Sequence, residues 1–235
     1  MSFKIQNLTL SLLAIVLIIF FTFLGYWQLS RAEEKNILIK SYAERTKSSA
    51  LNIGDIREKS DYRFFTLTVQ GEFDNDHTFL LDNKTYEGKI GYEVYTPFKA
   101  TGLNQPILID RGFIPIGKNR RELPFISSIN GMTTVTGMLN FPPAYVSFGK
   151  LTDTEGSFPM RVEYIQLNEL ASELGIDAFF PYVLNLSANH PAAFAVKWQV
   201  VSMNPEKHTG YAIQWFAFAL TLLIIFVALN RPTKK

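Results

Sequence analysis

Two long runs without a charged residue frame this chain, one from Ile5 to Ser30 and the other from Thr209 to Asn230. Each reaches the ~20 apolar residues that an α-helix needs to cross ~30 Å of hydrocarbon. Between them the pattern changes to short segments in which apolar and polar residues alternate, punctuated by glycine and proline. That period of two is the signature of half-buried strands. It predicts strands in "YRFFTLTVQGEF" (62–73), "HTFLLDN" (77–83), "GYEVYTPFK" (91–99), "PILIDRGFIP" (106–115), "TTVTGMLN" (133–140), "MRVEYIQL" (160–167) and "VKWQVVSM" (196–203). Helical periodicity is convincing at one interior place, "NELASELG", with Asn168 as N-cap and Gly175 as the stop. After Arg31, "AEEKNILIKSYAER" contains no breaker, so the first helix is expected to run on beyond the membrane to about Arg45.

These elements predict a membrane protein of the α+β class: two transmembrane helices flanking an extracytoplasmic, mostly antiparallel β domain, sandwich or barrel-like. The expected divisions are a cytoplasmic N-terminus (1–7), transmembrane helix 1 (8–29), a helical extension and linker (30–61), the β-rich domain (62–205), transmembrane helix 2 with its outer end (206–230) and a basic cytoplasmic tail (231–235). Alternation assigns the β core to Phe65, Leu67, Val69, Leu80, Val94, Leu108, Val135 and Val162. The first run reads as an uncleaved anchor, being longer than a signal-peptide h-region and lacking a small-x-small cleavage pattern after it.

Composition sharpens this picture at a few points. The 235 residues are 47% hydrophobic, with a mean hydropathy of +0.07, and the excess sits in the two terminal runs. Arg231, Lys234 and Lys235 follow the second span with no acid among them. By the positive-inside rule both termini are then cytoplasmic and the insert lies outside, in a periplasm or intermembrane space; the expected location is the bacterial inner (cell) membrane, multi-pass, with the main domain periplasmic. A net charge of +2 points to no nucleic-acid partner, and the basic "GKNRR" (117–121) reads as a solvated turn. The absence of cysteine excludes disulfides, CxxC redox chemistry and iron–sulfur ligation. GxSxG, HExxH, P-loop and GxGxxG motifs are missing, and His77, His190 and His208 show no metal-ligand spacing. Asp82, Glu87, Glu93 and Asp110 read as surface-facing strand residues.

Chemistry gathers at the outer ends of the spans, in "GYWQLSR" (25–31) and "HTGYAIQW" (208–215). His208, Tyr211 and Trp215 share one helical stripe, and Trp27 and Arg31 are one turn apart. Gln28 and Gln214 lie just inside each span, where an amide is expected to face the partner helix. One reading is an interfacial belt with a snorkelling arginine. Another is a haem pocket, with an imidazole for the iron, aromatic walls, and Arg31 and Lys207 for carboxylates. The same residues would also suit a lipid or another subunit.

"GYWQLSR", "YRFFTLTVQGEFDNDHTFLLDN" (62–83), "GKIGYEVYTPF" (88–98), "ILIDRGFIP" (107–115) and "PEKHTGYAIQWFAFA" (205–219), in that order, resemble the surfeit locus protein 1 family of cytochrome c oxidase assembly factors. The resemblance implies a non-enzymatic inner-membrane protein acting in maturation of the haem-copper oxidase. Its partners would be the catalytic subunit, other assembly factors and the lipid bilayer. Some members bind haem a through a histidine at the start of the second helix, a position that His208 occupies here. The family's other motif positions fall on Tyr211, Trp215 and Phe216 and on Gly25, Trp27, Gln28 and Arg31. The candidate cofactor-binding set is therefore His208, Tyr211, Trp215, Trp27, Arg31 and Gln28, with His208 on the iron. The alternative is a structural membrane chaperone or scaffold that grips an oxidase subunit without haem. Asp110 departs from the family pattern, since many members carry asparagine there.

Overall fold

A computed structural model describes residues 8–56, 61–117, 119–120, 122–145, 151–152, 156–196 and 198–231. Lys118, Arg121, Lys234 and Lys235, used above for the basic turn and the orientation, lie outside the described residues, as do the first seven positions. In chain order the elements are α1 (Leu8–Arg45), a 3₁₀ turn (Ile53–Asp55), β1 (Thr66–Phe73), β2 (Phe79–Tyr86), β3 (Lys89–Ala100), β4 (Ile107–Pro115), β5 (Thr133–Asn140), β6 (Met160–Val162), α2 (Leu167–Leu174), β7 (Val183–Leu186) and α3 (Pro205–Leu229). They fall into two compact units, residues 1–41 with 199–235, and residues 42–198.

The first unit is an antiparallel helix pair. Both helices are long and apolar enough to cross a membrane. Their buried positions are Ser11, Gly25 and Ala32 on α1, and Pro205, Ala212 and Ala219 on α3. These are seven or fourteen residues apart, so they fall on one stripe of each helix. All six are small residues or proline. A Cβ on Gly25 would stand 2.6 Å from the Phe216 ring, which only glycine avoids.

In the second unit the strands run in the order β1-β5-β7-β4-β3-β2-β6, and β1 also pairs with β3. That extra pairing closes β1, β5, β7, β4 and β3 into a barrel-like ring. Closure is possible because β3 is long: Lys89–Tyr95 pairs with β2, while Phe98–Ala100 pairs with β1. Among the strands of the described residues, the β2–β6 and β4–β7 pairings are parallel and the others antiparallel. Leu67, Val69, Phe98, Ile109, Val135 and Leu184 fill one core. A second core, including Phe79, Leu108, Val162 and Val183, is covered by Leu170 and Ala171 of α2.

Three sequence expectations are corrected. Phe64, not Phe65, is buried in the core. Its φ of +70° turns the backbone just before β1, so the alternation starts one residue late. "VKWQVVSM" forms no strand among its described residues; Trp198 instead donates its indole N–H to the Leu186 carbonyl at 3.2 Å. The missing strand is β7, in which all four residues are buried, so it carries no alternation to read. Helix α2 begins after Gln166, placing Asn168 within its first turn, and Gly175 closes it at φ +63°.

Candidate functional site

Helix α3 starts at Pro205, whose fixed φ and missing N–H suit the first helical position. His208 therefore lies on its first turn. The antiparallel register then matches positions along the two helices. The Phe21 and Trp215 rings stack at 5.6 Å, Tyr26 meets Phe216 edge-on at 5.4 Å, and His208 Nδ1 lies 2.7 Å from Gln28 Oε1. Gln28 is thus the α1 residue that meets His208, and its neighbour Trp27 points away from the seam, 44% exposed. Tyr211 is likewise 44% exposed. Trp215 is occupied within the pair, between Phe21 and Phe218.

Arg31 donates to Glu34 Oε2 at 2.6 Å and lies 5.7 Å from the Trp27 ring. Lys207 is exposed. Gln214, expected to face α1, is exposed instead. It precedes Trp215 by one residue, about 100° around the helix from the seam. A separate cavity of about 190 Å³ lies at the other end of the pair, lined by Ser11, Ala14, Leu222 and Asn230 among others.

The β domain holds polar groups that pattern reading placed on the surface. Glu87 is exposed, but Asp82 and Asp110 are buried. Asp82 is paired with Arg120 at 2.7 Å and lies 3.9 Å from Arg161. "IDRGF" proves to be a structural kink. The Asp110 carboxylate accepts the Gly112 N–H at 3.0 Å, and Gly112 takes a φ of +99° where a Cβ would meet the Ala195 carbonyl at 2.7 Å. The kink delivers Arg111, 1% exposed, to the carbonyls of Ala192 (3.0 Å) and Ser127 (3.2 Å). The Phe194 and Phe73 rings flank its guanidinium at 4.8 and 5.6 Å. Burial pulls the Arg111 pKa down to about 10.

Asp110 is opposite Tyr95 in the ladder, and the Tyr95 hydroxyl donates to Glu93 Oε2 at 3.3 Å. Burial, then the Glu93 charge, push the Asp110 carboxyl well above its usual range. This pair of acids is no catalytic cleft, because Asp110 is 3% exposed. The nearby hollow of about 250 Å³ is lined by Asp82, Lys84, Glu163 and Tyr164 among others, and Asp110 is not among its walls. Among the described residues no group of three or more His, Asp or Glu side chains could hold a metal ion. A glycine directly after two charges inside an apolar strand was the available signal for the kink.

Fold and helix ends together define a membrane protein of two apolar helices and a closed, barrel-like β domain. The SURF1 family model matches residues 15–220, and the chain belongs to that family. It is 27% identical to a SURF1-like protein of Rickettsia felis, covering 92% of this chain and 96% of the relative. It is 27% identical to surfeit locus protein 1 of Gallus gallus over 82% of this chain and 66% of the relative. With the Homo sapiens protein of the same name the identity is 24%, over 83% and 69%.

Proposed function

We propose that this chain is a non-catalytic assembly factor for haem-copper cytochrome c oxidase, binding haem a through His208 and aiding its delivery to, or retention in, the catalytic subunit. Family membership supports the assembly role. The observation that carries the haem reading is the imidazole on the first turn of α3, fixed at Nδ1 by Gln28 of the other helix. A histidine that binds iron through one ring nitrogen characteristically has the other held by a hydrogen bond. The remaining residues fit the same group. Trp27 and Tyr211 offer exposed aromatic faces, Trp215 backs the helix pair, and Arg31, which holds Glu34 through one nitrogen, has further N–H groups for a second carboxylate. When bound, haem a supplies the redox-active iron; the chain's part is to hold, orient and release. In this reading the chain lies in the bacterial inner membrane with both termini cytoplasmic and the β domain outside.

An absorption spectrum of the full chain purified from a haem A-producing host tests the proposal. A Soret band is expected in the wild type and in His77→Ala and His190→Ala, and its loss in His208→Ala with membrane levels unchanged. No band in the wild type would sink the haem reading. It would favour the scaffold reading, for which Phe125, 87% exposed on the β domain, is a ready apolar contact.

A further inference from the structure

A neutral imidazole exists as two tautomers, and only the nitrogen without a proton can bind a metal. Gln28 Oε1 lies 2.7 Å from His208 Nδ1. An amide oxygen accepts and never donates, so with the Gln28 oxygen turned to the ring the proton is on Nδ1. Gln28 lies on the α1 seam, one turn from each of the buried small residues Gly25 and Ala32. His208 lies one turn before the buried Ala212 of α3. Both partners are half-buried, where an unpaired polar group would be costly.

We propose that Gln28 is a positioning residue: it holds His208 in the Nδ1–H tautomer, leaving Nε2 as the ring nitrogen that presents a lone pair to an iron porphyrin. The ligand role rests on the haem reading above, whereas the tautomer does not. Gln28 therefore acts through His208 and need not touch the porphyrin. The chain uses helix pairing to do this, because neither residue's own helix supplies the hydrogen bond. Anything that shifts the register of α1 against α3 also unsets the ring.

The test uses the full chain in lipid nanodiscs with ¹⁵N-labelled histidine and no haem, at a pH where the ring is neutral. Signals of His208 are those missing from His208→Ala. NMR should show the wild-type ring protonated at Nδ1 and bare at Nε2. Gln28→Leu, which cannot accept, should release the ring to the Nε2–H form, and Gln28→Glu, which can, should keep it. Titration with ferric haem b, read at the Soret band, should weaken by roughly 10–100-fold in Gln28→Leu, the usual loss when such a partner is removed. In Gln28→Glu affinity should recover.

An Nε2–H ring in the wild type, a tautomer indifferent to Gln28→Leu, or unchanged haem affinity after the tautomer is lost would each overturn the proposal. An Nδ1–H ring that responds as expected, with no haem bound by any variant, upholds the positioning of His208. That outcome removes the haem reading instead.

Discussion

The helix pair and the β domain pack by opposite rules. In the pair the buried residues are Ser11, Gly25, Ala32, Pro205, Ala212 and Ala219, while Leu12, Phe23, Phe218 and Leu220 are exposed. In the β domain large side chains are fully buried, among them Arg111, Tyr92, Tyr95, Phe64, Phe79 and Phe98. Water drives the second arrangement, because removing apolar area from it stabilises the fold by about 25 cal/mol per Å². Among lipid tails that drive is absent, and van der Waals contact, here between rings and small residues, takes its place with a few hydrogen bonds. The contrast is what two different solvents would select, and it gives a single hydrogen bond such as Gln28–His208 more weight in the pair than it would have in water.

The comparison breaks most sharply at Arg111. Arg111→Ala strands the carbonyls of Ala192 and Ser127 and opens a void between Phe194 and Phe73. The expected loss is about 3–5 kcal/mol of β-domain stability. Near-ultraviolet circular dichroism of the full chain should show the lower melting temperature while helical signal persists. An unshifted melt would mean that the kink is not a structural device. A matched pair of leucines comes next. Leu67→Ala in the barrel should cost about 2–5 kcal/mol, and Leu220→Ala, on the exposed face of α3, close to nothing in a bilayer. Equal effects would refute the two-solvent account.

Gly25→Val probes the seam itself, driving a side chain into the Phe216 ring at a cost of about 1–3 kcal/mol. Cysteines placed by Phe21→Cys and Trp215→Cys should crosslink in the parent chain and poorly beside Gly25→Val. Crosslinking that ignores the valine would place the helix contact elsewhere.

The smallest effect is a pH dependence. The folded-state pKa of Asp110 is raised, so the folded chain binds this proton more tightly than the unfolded one. Its contribution to stability is fully present below the unfolded carboxylate value of about 3.9 and is lost as pH rises through the folded value. Asp110→Asn retains an oxygen for the Gly112 N–H and carries no charge. Denaturant midpoints of this variant should therefore match the wild type in acid and exceed it at neutral pH. A wild-type advantage at neutral pH would show that the buried carboxylate is ionised and paired.

Local pattern by itself determined the fold class. Twenty apolar residues in a row, or strict alternation, can be satisfied in few ways, and Gly175 ends its helix because the left-handed cap tolerates little else. The SURF1 resemblance was legible for the same reason, as five motifs in fixed order. Tertiary structure decided the rest. Strand β7 showed no alternation because both its faces are covered, and the ring closes only because β3 serves β2 at one end and β1 at the other. Asp110 looked like any polar strand residue, but β4 is covered on both faces and hides it. At the helix ends the residue types were visible but their partners were not. Gln28 and Gln214 are equivalent in sequence, each an amide just inside an apolar run. Gln28 meets His208 and Gln214 is exposed, because in a helix that is apolar all round only small residues at seven-residue spacing mark the inner face, a weak signal beside a polar one. Register between two helices is a property of the pair.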